Sequence, residues 1–201
     1  MALYDASMKP LTAAVYTWTG GIQESRIAVC HKGKYGFLDD RGHEVIPCIY
    51  DEVSFFSTSR AMVRLGDYYG IIDTVGRIIL PVEYDNTLPK SIKYIYYDGL
   101  ALVERNGRYG YVDLDGRLVI PFAFDDAYQF SEGLAAVRNN GHWGYIDTDG
   151  KAFMPFVFDL ASPYEWGRAE VYYEGVPHKV DRQGRCVKNC KGIKTWRITT
   201  E

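Results

Sequence analysis

A short recurring segment limits what this chain can fold into more than any other feature. Each copy places an aromatic residue before a glycine, then two more apolar or aromatic residues and an aspartate, as in Trp143-Gly144-Tyr145-Ile146-Asp147. The glycines of successive copies lie 34, 40 and 34 residues apart, and the pairs are Tyr35-Gly36, Tyr69-Gly70, Tyr109-Gly110 and Trp143-Gly144. A period in this range is typical of solenoids, propellers and other arrays. The sequence therefore predicts a repeat protein.

The parts of one copy predict three antiparallel strands. An Ala-x-Val segment comes first and is followed by a turn such as Asn140-Gly141, whose residues tolerate positive φ. After the aromatic-Gly strand, a second turn runs from Asp147 to Gly150. The third strand contains a proline, which lacks a donor and should close the strand or lie at an edge. These prolines are Pro47, Pro81, Pro121 and Pro155. The loop after the following aromatic-Asp pair is expected to hold at most a single turn.

Counting a degenerate copy around His178, five such units predict an all-β array of three-stranded antiparallel β-meanders. A lone three-stranded unit is only marginally stable, so the units must stack. We expect an open, twisted, solenoid-like array rather than a five-bladed propeller-like ring, because 34 residues is short for a four-stranded blade. The repeats should occupy residues 26–185. Residues 1–25 should form an N-terminal cap or partial repeat, and residues 186–201 a C-terminal cap strand.

These repeated segments resemble the WG-repeat family, which is named for its Trp-Gly pair. The pattern extends over about residues 26–185, although Trp143-Gly144 alone has the literal pair and tyrosine replaces tryptophan in the other full copies. The resemblance implies a β-rich repeat array, bacterial in most cases, that mediates interactions. It implies no catalytic residues.

Composition and charge narrow the expected partners. The net charge is −3 and the pI is about 5.8, which does not favour nucleic acid, since its binders usually carry a basic face. The sequence shows no secretory signal and no apolar run long enough to span a membrane. We therefore expect a cytoplasmic protein, monomeric, with another protein as its partner and without a cofactor.

Two patterns could hold a metal, and both have a simpler interpretation. Asp147-Thr148-Asp149-Gly150 is similar to the start of a calcium loop, but no later acid completes the ligand set, and aspartate favours such turns by bonding its own backbone. His178, Cys186 and Cys190 could bind zinc, yet structural zinc sites usually use closer cysteine pairs. A cap with free thiols is the simpler expectation, and the sequence predicts neither a metal site nor a catalytic residue.

The aromatic-Gly positions could form a ligand-stacking shelf or a structural ladder, and their recurrence favours the ladder. Function is expected where copies differ: in a six-residue insertion near residues 86–97, and in a loop that ends at Trp166-Gly167. Tyr and Trp are common interface anchors. The candidate interface residues are Lys90, Lys93, Tyr94, Tyr96, Tyr97, Tyr164, Glu165 and Trp166.

Three functions remain open from the sequence. The favoured one is a non-enzymatic protein-protein interaction module, with a bacterial immunity or inhibitor protein that neutralises a toxin as its narrower form. A second is a carbohydrate or small-ligand binding array that uses the repeated aromatics. The least favoured is an enzyme with a composite site between repeats.

Overall fold

The computed structural model describes residues 10–85, 96–190 and 195–198, and all its regular structure is β. The chain divides into two compact halves, residues 1–94 and 95–201, called here the N-terminal and C-terminal halves. None of the described segments forms a helix of the length and apolarity that a membrane crossing requires.

The N-terminal half contains two four-stranded antiparallel sheets whose strands pair in sequence order. The first sheet comprises β1 (Trp18–Gln23), β2 (Arg26–His31), β3 (Lys34–Leu38) and β4 (Glu44–Tyr50). The second comprises β5 (Glu52–Val53), β6 (Arg60–Leu65), β7 (Tyr68–Asp73) and β8 (Ile78–Tyr84).

The C-terminal half contains three sheets of the same kind. The third sheet comprises β9 (Tyr96–Tyr97), β10 (Leu100–Arg105), β11 (Arg108–Asp113) and β12 (Leu118–Phe124). The fourth comprises β13 (Asp126–Ala127), β14 (Leu134–Asn139), β15 (His142–Asp147) and β16 (Ala152–Phe158). The fifth comprises β17 (Leu160–Ala161), β18 (Arg168–Tyr173), β19 (Val176–Asp181) and β20 (Cys186–Lys188).

The prediction of an all-β array of five antiparallel repeat units is confirmed, and each sheet has one strand more than the three expected. In the second to fifth sheets this extra strand is only two residues long, and in the second, fourth and fifth it lies directly after the aromatic-Asp pair. The expectation of a loop with at most a single turn at residues 126–130 is therefore wrong at its start, because Asp126 and Ala127 pair with Arg138 and Val137. Two residues are too few to show an alternating pattern.

The hairpin turns form as the sequence predicts. Asn140 and Gly141 have φ of 49° and 83°, and Asn106 and Gly107 have 53° and 70°. Positive φ at both central residues is the type I′ geometry, whose twist matches that of the flanking strands. The turn chemistry therefore sets the register of these hairpins.

Apolar side chains of successive sheets form the cores. One cluster joins the first two sheets and includes Phe37, Ile46, Phe56 and Ile72. In the C-terminal half, one cluster joins the third and fourth sheets around Tyr111 and Phe130, and another joins the fourth and fifth around Tyr145 and Tyr164. Each sheet pair thus buries the faces that a single sheet would leave exposed.

Candidate functional site

The repeated glycines are required by the backbone of the neighbouring strand. A Cβ atom added at Gly110 would lie 2.7 Å from the carbonyl oxygen of Ile120, and one at Gly144 would lie 2.8 Å from Cδ1 of Phe156. The partner strands bulge here: Trp143 and Tyr145 face Phe158 and Met154, so two extra residues are accommodated on β16. Glycine makes room for the bulge that contains Pro155.

The prolines lie inside the strands at one edge of the first four sheets. Pro47, Pro81, Pro121 and Pro155 fall in β4, β8, β12 and β16, and each strand continues three residues beyond its proline. Of the two positions expected for proline, the sheet edge is therefore the one observed.

The repeated aromatics are largely covered. Tyr69 and Trp143 are 8% and 5% exposed, while Tyr35 and Tyr109 are half-buried. Trp143 also stacks on Tyr128, with ring centroids 5.2 Å apart. These faces pack inside the protein, which supports the ladder over a shelf for ligands.

Three buried tyrosines of the C-terminal half donate hydrogen bonds to backbone carbonyls; the first two join one sheet to the next, and the third stays within the fifth sheet. The hydroxyl of Tyr111 donates to the carbonyl of Tyr128 at 2.6 Å, that of Tyr145 donates to Ser162 at 2.7 Å, and that of Tyr164 donates to Asp181 at 2.9 Å. Burial raises the pKa of all three hydroxyls well above the ordinary value for tyrosine. They act as neutral donors, and those of Tyr111 and Tyr145 connect successive sheets.

The prediction of Tyr164 as an interface residue is wrong. Its side chain is fully buried, its ring packs edge-on against Tyr145 at 5.2 Å, and its hydroxyl is bonded. The sequence pattern could have shown this, since Phe56 and Phe130 occupy the same place in earlier repeats and are also buried.

The aspartate turns hold their own backbone. Oδ1 of Asp147 accepts hydrogen bonds from the amides of Asp149 and Lys151, and Asp39, Asp73, Asp113 and Asp181 make the same pair of bonds. The backbone hydrogen bond from His43 chiefly lowers the pKa of Asp39. These contacts support the turn interpretation over a calcium loop.

The C-terminal cysteines differ from expectation. Cys186 and Cys190 form a disulfide, so the expectation of free thiols there is wrong, and neither sulfur can serve as a zinc thiolate. Their Cα atoms are 5.6 Å apart, which suits a disulfide. Cys30 is buried and Cys48 is partly buried, and both are free. Within the described ranges, no cluster of His, Cys, Asp or Glu is placed to hold a metal ion.

The insertion residues lie mostly outside the described part of the chain. Lys90, Lys93 and Tyr94 belong to the undescribed residues 86–95. Tyr96 and Tyr97 form β9 and pair with Ala101 and Leu100, so the end of the predicted insertion loop is strand. Tyr97 is 41% exposed.

The turns between the first two strands of the first, third and fourth sheets carry an acid, whereas the second sheet has Thr58 and the fifth has Trp166. Glu24 accepts a hydrogen bond from the amide of Ser59 in the next sheet, at 2.8 Å. Asp98 does the same for Gly133 at 2.7 Å, and Glu132 for Gly167 at 3.0 Å. In each case the acid links one sheet to its successor.

Trp166 occupies the acid position in the fifth sheet. It lies in the same type of turn as Glu132, with φ of 55° followed by 75° at Gly167. Positive φ is unfavourable for a bulky residue, so the turn geometry does not explain a tryptophan here. Its side chain is 96% exposed. Trp166 is therefore exposed, and the structure of its turn gives no reason for a tryptophan. Both properties are typical of a residue that contacts a partner.

A groove of 540 Å³ lies beside this tryptophan. We call its lining the Trp166 surface, and its main residues are Pro163, Glu165, Trp166, Arg168, Glu170 and Lys179. Glu170 and Lys179 face each other across β18 and β19. The corresponding residues of the fourth sheet, Ala136 and Tyr145, are fully buried. The fifth sheet thus presents charge where the fourth presents an apolar face.

A smaller cavity of 230 Å³ shares Ser162, Pro163 and Glu170 with this groove and adds Tyr128 and Leu160. Tyr128 and Leu160 are 44% and 56% exposed. Sequence reasoning missed both residues. Comparing copies would have found them, since serines stand at the Tyr128 position and acids at the Leu160 position in other repeats.

Fold and site together define a β-repeat protein whose repeated residues are structural and whose last repeat carries an exposed aromatic surface. The model of the WG containing repeat matches residues 35–69, 69–109, 109–142 and 143–175. These matches cover more than half of the sequence, so the chain belongs to the WG containing repeat family, as the resemblance predicts. No curated protein matches the sequence significantly.

Solved structures match it at low identity. Kluyveromyces lactis Hsv2 with its complete loop 6CD is 13% identical with a TM-score of 0.40, over 87% of this chain and 64% of that chain. The WD40 domain of Neurospora crassa Pan2 is 14% identical with a TM-score of 0.40, over 83% and 61%. A eukaryotic initiation factor is 10% identical with a TM-score of 0.45, over 87% and 54%. The chain spans less than two thirds of each of these structures.

Proposed function

We propose that this chain is a non-enzymatic protein-binding module and that Trp166 is its main anchor. The observation that carries the proposal is the 96% exposure of a tryptophan in a turn where the other described repeats have an acid or a threonine. Tryptophan is among the residues that contribute most to protein interfaces, because it buries a large rigid surface at small entropic cost.

The surroundings of Trp166 suit a protein partner. The groove offers both charges, through Glu165, Arg168, Glu170 and Lys179, together with the apolar Pro163 and Trp166. An apolar anchor within a polar rim is the usual arrangement of an interface. The partner should offer a pocket for the indole ring and complementary charges around it.

A narrower proposal is that this partner is a toxin, which the chain neutralises as an immunity or inhibitor protein. The net charge of −3 favours association with a basic partner. A rigid β surface also loses little conformational entropy on binding, which favours a tight complex.

The test is coexpression with the product of the adjacent gene. We expect the two proteins to copurify and the growth defect caused by the neighbour to be relieved. Trp166→Ala should raise the dissociation constant by about 30-fold or more, which corresponds to the loss of a hot-spot residue. The thermal midpoint should not fall, because the exposed indole stabilises nothing in the folded chain.

Val176→Ala is the matched control, since Val176 is a 43% exposed apolar residue at the other end of the same hairpin. It should leave binding unchanged. Equal binding by wild type and Trp166→Ala would remove Trp166 as the anchor. Complex formation without relief of growth would leave a binding module and contradict the immunity role.

A further inference from the structure

The N-terminal half contains an aromatic cleft that is separate from the Trp166 surface. It has a volume of 380 Å³ and lies between the first and second sheets. Its main lining residues are Trp18, Tyr35, Glu52, Val53, Ser54 and Phe55. A cleft of this size falls within the range of small-ligand sites.

Gly20 allows two aromatic side chains of the cleft to approach the first strand closely. Trp18 pairs with Cys30 as Asp126 pairs with Arg138, so Gly20 occupies the position that Tyr128 occupies in the fourth sheet. There, Tyr128 stacks on Trp143. With no side chain at Gly20, Trp18 and Phe55 pack over its backbone instead, and Trp18 lies beside Tyr35.

The aromatic walls meet at a steep angle. The rings of Trp18 and Tyr35 are 5.8 Å apart with an interplanar angle of 68°. Trp18 and Phe55 both reach the space above Gly20, since a Cβ atom there would lie 2.9 Å from Cη2 of Trp18 and 2.7 Å from Cε1 of Phe55. Trp18 is 39% exposed and Phe55 is 46% exposed, so ring surface remains accessible to a ligand.

Few polar groups line the cleft, and their small number indicates which class of ligand it can bind. The Ser54 hydroxyl donates to the carbonyl of Phe55 at 3.0 Å and accepts from the amide of Met62 at 2.9 Å. Glu52 brings a carboxylate that is 37% exposed and forms an ion pair with Arg64, whose Nε donates to Oε2 at 3.2 Å. A sugar would need several further hydrogen-bonding groups. A cation without strong donors needs aromatic faces and a nearby negative charge.

We propose that the cleft formed by Trp18, Tyr35, Phe55 and Glu52 binds a methylated ammonium group. The aromatic rings would contact its methyl groups, and Glu52 would supply the opposite charge. The same chemistry occurs in a free quaternary amine and in a trimethylated lysine side chain, and the experiment below separates these two sources.

The test is isothermal titration of the full chain with choline, with a trimethyllysine peptide and its unmodified counterpart, and with 3,3-dimethyl-1-butanol. The last compound is the neutral isostere of choline. We expect at least one methylated cation to bind, and the neutral isostere and the unmodified peptide to bind about tenfold more weakly or not at all. Preference for choline indicates a free amine, and preference for the peptide indicates a protein side chain.

Two variants test the site, and a third is their control. Gly20→Ala should weaken binding about tenfold, because its methyl group must displace Trp18 and Phe55. Gly21→Ala is the matched control, since a Cβ there meets nothing within 4 Å. Glu52→Gln should weaken cation binding while leaving that of the isostere unchanged.

Two outcomes would overturn the proposal. One is equal binding of choline and its isostere, which would indicate a merely apolar cleft. The other is absence of binding by every methylated cation to the folded wild type. Circular dichroism shows whether each variant is folded. Trp18→Phe is a further variant for the same titration, and it keeps an aromatic ring in the wall of the cleft. Binding at the Trp166 surface is measured separately, so failure of one proposal leaves the other intact.

Discussion

The fourth and fifth sheets share one repeat pattern but place a glycine and a histidine at the same position. Gly144 faces Val137 in the fourth sheet, and His178 faces Val171 in the fifth. His178 is 4% exposed, so the histidine is accommodated inside the fold. The difference must therefore come from the strand beside it.

The neighbouring strands end differently. In the fourth sheet, β16 continues through Pro155 and its carbonyl lies 3.0 Å from where a Cβ of Gly144 would be. In the fifth, β20 ends at Lys188, and Asn189 takes the proline position with φ of 62°. The amide of the Asn189 side chain donates to the carbonyl of Pro177 at 2.9 Å. The chain turns away, and this leaves room for an imidazole ring.

Trp196 covers the space that is left. Its ring lies 5.3 Å from His178, 5.4 Å from Phe158 and 6.1 Å from Tyr173. The glycine of the repeat is thus required only where the proline bulge packs against it, and a repeat that loses the bulge can also lose the glycine. A terminal repeat can then use a separate segment to cover its core.

The largest expected effect tests this link between glycine and bulge. Gly144→Ala should lower the free energy of unfolding by about 2–3 kcal/mol, because its Cβ would meet backbone that cannot move freely. His178→Ala should cost less, about 1 kcal/mol, since alanine at this position adds no atom against the neighbouring backbone. Urea unfolding measures both. Gly21→Ala controls for the alanine itself, and equal losses at positions 144 and 178 would refute the link.

A somewhat smaller effect tests the cover over the fifth sheet. Trp196→Ala should lower the free energy of unfolding by about 2 kcal/mol, less than for a fully buried tryptophan because Trp196 is only half-buried. Val187→Ala is a control in the same region, at a side chain that is 45% exposed. If Trp196→Ala is as stable as this control, the segment does not hold the core closed.

The sequence predicts these turns and strands because the residues that determine each of them are close together in the chain. Asn140-Gly141 and Asp147 to Gly150 specify their own backbone bonds within a few residues. Tyr164 by itself could be an anchor or a core residue; its alignment with Phe56 and Phe130 favours the core, and its contact with Tyr145 in the preceding sheet decides it. The aromatic cleft likewise depends on Trp18 and Phe55 packing together over Gly20, a relation between strands that one strand's sequence does not show.

The smallest expected effect concerns how the stability of the fifth sheet depends on pH. Burial alone would raise the pKa of Asp181, but hydrogen bonds from the Arg185 amide and guanidinium, and from the Gln183 amide, outweigh it and lower the pKa. A depressed folded-state pKa contributes stability above the ordinary aspartate value of about 3.9, and this stability is lost as pH falls through the folded-state value.

We therefore expect urea unfolding to show a loss of stability between pH 5 and pH 2 that is smaller in Asp181→Asn than in wild type. The loss should not vanish, because Asp39 and Asp51 also have lowered pKa values, chiefly through the backbone of His43 and the side chain of Lys34 respectively. Arg185→Ala should give an intermediate response, since it removes the guanidinium and keeps the backbone donors. If Asp181→Asn loses as much stability in acid as wild type does, the ionised carboxylate of Asp181 does not stabilise the turn of the fifth sheet.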